Sequence, residues 1–172
     1  MFYQGNTAKM TPSDSPPVEM APAASENPNV VRITNKLGTF EYDRQLSIQF
    51  PNGVVGFPDY HEFGLANLPG SMADFKLLQC ISEPSLSFFV LPVDPKAAPI
   101  DAEDIVAVCE AFKIKPENLA MLFIVTIRSA GPGGGITMSI NHRAPIVIDA
   151  SNRAARQVVF SNNKYSVQHL IQ

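Results

Sequence analysis

Between Val30 and Phe160 the chain is a series of short β-branched and aromatic runs, cut every few residues by Gly or Pro. Strands of four to eight residues at such spacing fit an antiparallel sandwich or small barrel and little else. Val30–Thr34 and Thr39–Tyr42, joined by Asn35-Lys36-Leu37-Gly38, read as a hairpin with Gly38 free to take φ > 0. Further strands are expected at Ser47–Phe50, Glu62–Leu68, Phe75–Ile81, Leu86–Val93, Met121–Ile127, Ile136–Asn141, Pro145–Asp149 and Gln157–Phe160. Pro92 and Pro95 suit an edge or a strand end. Phe88 and Phe89 put one ring on each face of their strand, which points to a core on both sides of the sheet or to an apolar contact surface.

One segment departs from the period of two. Ile105, Val108, Cys109 and Phe112 form a single helical stripe, so Asp101–Phe112 is expected to be an amphipathic helix. Asp101 can cap it. Glu103 and Asp104 sit near its positive end, Lys113 and Lys115 near its negative end, and Pro116 stops it. The expected fold is therefore mainly β, a small antiparallel β-barrel-like or sandwich domain with one short amphipathic helix.

Composition matters at the N-terminus. Residues 1–28 hold five of the 15 prolines among small and polar residues, and such a stretch buries too little surface to offset its ordering entropy. It is expected to be a disordered arm and lacks the pattern of a secretory signal. The apolar run around Met121–Val125 is too short to span a bilayer. Two cysteines, Cys80 and Cys109, cannot form a disulfide scaffold, and buried reduced thiols suit a cytosolic protein.

Charge is unevenly placed. The net charge is −3, but residues 37–127 carry 12 acids and 5 bases, whereas residues 128–172 carry 5 bases and one acid. Opposed patches of this kind steer partners of opposite sign or are simply mixed solvated surface. The acidic middle does not suit nucleic-acid binding, which needs a basic field.

Catalytic and metal signatures are sparse. His61, His142 and His169 have no His or Cys partner at metal-ligand spacing, and Asp59-x-His61 offers two ligands where zinc needs three or four. No metal or cofactor is expected. Gly131-Pro132-Gly133-Gly134-Gly135 lacks the ending of a phosphate loop and reads as a hairpin loop. Phe57, Tyr60 and Phe63 crowd the loop Pro51–Pro58 and its flank, either plugging a barrel end or forming a binding anchor. Asp101, Glu103, Asp104 and Glu110 make the helix side acidic, as a binding patch or as an ordinary solvated face.

The string Phe50-Pro51-Asn52-Gly53-Val54-Val55-Gly56-Phe57 resembles the Phe-Pro-x-Gly-x-x-Gly-Phe element of the FliW flagellar assembly factors. Leu77–Cys80, Ser85–Pro95, Leu122–Ile127, Asn141–Ile148 and Arg156–Val159 resemble that family's strands in the same order. The resemblance runs from about Val31 to Leu170 and makes 29–172 a FliW-like β-barrel domain. The proline-rich arm, the Gly131–Gly135 loop and a longer helix region depart from the family pattern.

The resemblance implies a cytoplasmic, non-enzymatic regulator, expected to be monomeric when free. Such proteins bind flagellin and the RNA-binding translational regulator CsrA, and relieve CsrA repression of flagellin translation without touching RNA themselves. The candidate contacts read from the residues themselves are the acidic helix side and the loop aromatics. Two other readings of the residues stay open: a small-ligand or carbohydrate-binding β-barrel, and an enzyme using Cys80 or Cys109 with a histidine.

Overall fold

The computed structural model describes residues 28–171 apart from 130, 132, 133 and 162, and of Ser71 only the backbone. The expected disordered arm, but for Pro28, lies outside the described residues. The strands in chain order are β1 (Val30–Asn35), β2 (Gly38–Asp43), β3 (Ile48–Gln49), β4 (Glu62–Asn67), β5 (Lys76–Cys80) and β6 (Ser87–Val93). Helix α1 (Ala102–Phe112) follows, then β7 (Leu119–Ser129), β8 (Ile136–Ile140), β9 (Ile146–Asp149), β10 (Ala154–Gln157) and β11 (His169–Ile171).

Seven strands close a ring in the order β7-β6-β5-β4-β3-β10-β9, with β9 pairing back onto β7. An odd ring cannot be antiparallel throughout, because strand direction must return to itself after one circuit. The parallel junction falls between β10 and β3, through Ala154 opposite Gln49. β7 is long enough to serve two neighbours on one side: Leu119–Leu122 pairs with β9, and Val125–Ser129 pairs with β8. β11 extends the sheet beyond β8.

The two-sided core follows from alternation. Leu122 of β7, Ile146 and Ile148 of β9, and Leu78 and Cys80 of β5 point into the barrel with Phe50, Phe63 and Val90. Leu119, Met121 and Phe123 of β7 and Val147 of β9 point outward and are covered by α1 through Val108 and Cys109. Phe88 packs on the inner cluster and Phe89 on the outer one, so their strand is buried on both faces. Beyond Val90, β6 has no registered partner on its β5 side, and Pro92 falls there.

The β1–β2 hairpin forms a separate two-stranded sheet with its own small core of Ile33, Tyr42 and Ile81. It lies over β4 and β5. A Cβ on Gly64 would stand 2.2 Å from Cδ1 of Tyr42, so only glycine lets that ring approach the strand. The Tyr42 hydroxyl is buried without a partner among the described residues, and burial pushes its pKa up to about 12. Asn35 donates to Gln79 Oε1 at 2.8 Å, while Gln79 Nε2 donates to the carbonyls of Cys80 and Leu86. A fully buried amide is thus satisfied, and the hairpin tip is tied to β5.

Two expectations need correction. The penultimate strand of the chain is Ala154–Gln157, not Gln157–Phe160. Val158 and Phe160 instead donate to Pro145 and Arg143 in an irregular segment that packs beneath α1 with Tyr165. Asp101 occupies the N-cap position of α1 but makes no side-chain capping bond; its carboxylate is engaged elsewhere.

Candidate interaction surfaces

Helix α1 joins β6 to β7 and carries the four acidic candidates. The structure divides them into two pairs. Lys164, in the segment leading to β11, forms ion pairs with both Asp101 and Asp104. The hydroxyl of Tyr165 donates to Asp104 Oδ2 and accepts from the backbone N–H of Asp101 at 3.0 Å. The Tyr165 hydrogen bond and the Lys164 ammonium hold the Asp104 carboxyl below its ordinary range. Its two acidic neighbours raise the Lys164 pKa, and burial with the Asp104 hydrogen bond raises that of Tyr165. This cluster clamps the C-terminal segment to the helix start, so Asp101 and Asp104 are committed inside the molecule.

Glu103 and Glu110 are exposed, and their carboxylates make no hydrogen bond or ion pair with any described residue. They stand seven residues apart, two turns on one face, with Val106 between them. Val106 is 53% exposed, on a helix whose buried face belongs to Val108 and Cys109. Beside it lies a mostly apolar hollow of about 240 Å³ lined by Pro95, Lys96, Ile100, Ile105, Pro116 and Leu119. The result is an acidic–apolar–acidic stripe next to a hollow. Sequence reasoning missed Val106, although its place off the Ile105/Val108/Cys109/Phe112 stripe was the available signal.

The loop aromatics also separate. Phe63 is a correction. It is not on the loop but in β4, 0% exposed, with its ring 5.0 Å from Phe50 in an edge-on arrangement and 6.3 Å from Phe88. It fills the barrel and offers no contact surface. Tyr60 is half-buried against the inner core. Phe57 is 37% exposed and leans on Phe88 at 5.6 Å and Tyr60 at 6.5 Å. Val54 is the loop residue that enters the barrel.

The loop itself is rigid. Val54 and Phe57 exchange two backbone hydrogen bonds, closing a tight turn whose tip is Val55-Gly56. Gly53 and Gly56 take φ of 64° and 87°. The backbone N–H of Val55 donates to Gln157 Oε1 at 3.0 Å, and Gln157 Nε2 donates to the Ala144 carbonyl, which fixes the turn to β10. His61 Nδ1 donates to the Phe50 carbonyl at 2.9 Å and closes the loop base.

The remaining reactive groups are buried or partnered. Cys80 lies inside the barrel and Cys109 beneath α1, on opposite faces of the sheet, and burial pushes the Cys109 thiol up. Such a thiol is a poor nucleophile. His142 is buried between Phe123 and His169, its ring 4.5 Å from that of His169; burial and then the His169 charge lower its pKa. Among the described residues no three His, Cys, Asp or Glu side chains gather to hold a metal ion, and no helix is long and apolar enough to cross a membrane.

Comparison with known proteins agrees with this architecture. The family profile described as "FliW protein" matches residues 32–171. A flagellar assembly factor FliW from Ruminiclostridium cellulolyticum is 29% identical over 141 residues, covering 80% of this chain and 91% of the relative. One from Anoxybacillus flavithermus is 30% identical, covering 77% and 88%. A crystal structure of the flagellar assembly factor FliW superposes with a TM-score of 0.62 at 24% identity, over 82% of this chain and 95% of that one. The family match spans the ring, the hairpin and the helix alike, and the chain belongs to the FliW family of flagellar assembly factors.

Proposed function

We propose that this protein is a non-enzymatic, cytoplasmic regulator that binds CsrA and flagellin in exchange, and so relieves CsrA repression of flagellin translation. Family membership supports the general role. The observation that carries the CsrA part is the unpaired acidic stripe on α1: Glu103 and Glu110 flank exposed Val106 beside a mostly apolar hollow. Two carboxylates left without internal partners attract and orient a basic, RNA-binding protein, and the apolar centre supplies desolvated contact area. Direct RNA contact is not part of the reading, because an acidic face repels phosphate. Phe57 and the half-buried Tyr60 remain as apolar contacts for a protein partner. The carbohydrate-binding reading is not carried forward, since Phe63, Phe50 and Val54 occupy the barrel interior.

Calorimetric titration of CsrA over a salt series tests the surface. Charge reversal at Glu103 and Glu110 is expected to weaken association by about tenfold or more and to flatten its salt dependence. Asp104 is the wrong position to reverse, because Lys164 and Tyr165 depend on it and a folding defect would mimic lost binding. An affinity and salt slope unchanged in the Glu103→Lys/Glu110→Lys protein would remove this face from the proposal.

A further inference from the structure

We propose that the cleft between the Val54–Phe57 turn and β10 binds an acidic peptide segment of a protein partner, with the Arg156 guanidinium receiving its carboxylate. This surface has the opposite charge preference to the α1 stripe. It goes beyond the exchange proposed above and does not depend on it.

Arg156 is half-buried at the meeting of two hollows. One, of about 400 Å³, is lined by Asn52, Gly53, Val55, Gly56, Pro58 and Gln157. The other, of about 160 Å³, is lined by Phe112, Ile114, Asp149 and Asn152. Arg156 lines both. Its guanidinium carbon stands 5.3 Å from the centre of the Phe112 ring, and the group makes no hydrogen bond or ion pair with any described residue. Ring stacking uses the face of a guanidinium and leaves its in-plane N–H fork available for a bidentate carboxylate.

The nearby acid does not fill that role. Asp149 accepts from the backbone and hydroxyl of Ser151 at 3.0 and 2.6 Å and from Asn152 Nδ2 at 3.0 Å, which turns it into its own reverse turn. Arg128 and Arg153 likewise have no side-chain partner among the described residues, but both are exposed and neither lies over a ring, whereas two further cations of the C-terminal third are spent internally. Lys164 is paired with Asp101 and Asp104, and Arg143 donates to the carbonyls of Phe160 and Ser161. An arginine held in place by an aromatic ring and left without an anion is complementary to an external one.

The opposite wall is prepared for a peptide. Two glycines in the left-handed region, the Val54–Phe57 bridge and the Gln157 tether hold the turn in one shape, so little ordering cost remains on binding. Its tip presents Val55, 63% exposed, as an apolar contact. A segment carrying alternating acidic and apolar side chains matches both features.

The test uses the ¹⁵N-labelled full chain and a blocked pentapeptide of alternating leucine and aspartate, with the leucine–asparagine peptide as control. Saturable shifts are expected at Arg156 Nε–H and at the Val55 and Gly56 amides. Affinity is expected to fall about tenfold or more for the asparagine peptide and for Arg156→Gln. Val55→Asp, on an exposed tip, places a like charge in the cleft and is expected to weaken binding comparably even if Arg156→Gln fails to fold. No shifts at millimolar peptide, shifts elsewhere on the surface, or equal affinity for the two peptides would overturn the proposal.

Discussion

Phe63→Ala is expected to cost about 3–5 kcal/mol of stability, a large share of what a domain of this size has. The ring is fully buried, packs on Phe50 and Phe88, and lies opposite Cys80 in the β4–β5 register. Truncation removes the transfer term and opens a cavity that a closed ring of strands cannot readily collapse. Loss of the edge-on Phe50 pair adds about 0.5–1.5 kcal/mol to the area term. Phe57→Ala, at the rim, is expected to cost under about 1 kcal/mol. Thermal melts compare the two, with Tm falling by roughly 10 °C or more for the first and a few degrees at most for the second. Similar melting points would mean that Phe63 is not the barrel plug.

Gly53→Ala is expected to cost about 2–4 kcal/mol. Two costs combine. The φ of 64° penalises any Cβ by about 1–2 kcal/mol. The added atom would also stand 2.3 Å from the Phe57 carbonyl oxygen and 2.7 Å from Pro58 Cα, both backbone, so the turn must move. Gly56→Ala separates the terms: its φ is 87°, but nothing lies within 4 Å of the added methyl, leaving the backbone term alone. Urea unfolding midpoints are expected to fall at least twice as far for Gly53→Ala as for Gly56→Ala. Equal shifts would mean that the loop has room to relax around position 53, and that it is less rigid than its hydrogen bonds imply.

Local chemistry made most strands and the helix legible, because β-branched alternation and the Ile105/Val108/Cys109/Phe112 stripe are short-range signals. A barrel was among the expected folds, but the junction that closes it was not legible. That parallel junction is one residue pair, Ala154 with Gln49, which no local pattern encodes. The apolar run Val158–Phe160 drew the penultimate strand three residues too far, since an irregular buried segment and a strand look alike by composition. β11 was missed because three residues are too few to show alternation.

The acidic side of α1 was legible as a group of four but not as two pairs. Glu103 and Glu110 have no side-chain partner among the described residues, whereas Asp101 and Asp104 are matched by Lys164 and Tyr165 from 60 and more residues away. Arg156 was counted only as part of a basic C-terminal third. That it has no ion pair among the described residues shows only in three dimensions, where nearby Asp149 is spent on Ser151 and Asn152.

The exchange itself is tested most directly by fluorescence anisotropy of a labelled flagellin leader RNA bound to purified CsrA. Adding this protein is expected to release the RNA, with half-release at micromolar concentrations or below, and subsequent addition of flagellin is expected to restore the bound signal. RNA that stays on CsrA at saturating amounts of the protein, or release that flagellin does not reverse, would contradict the proposed partner exchange.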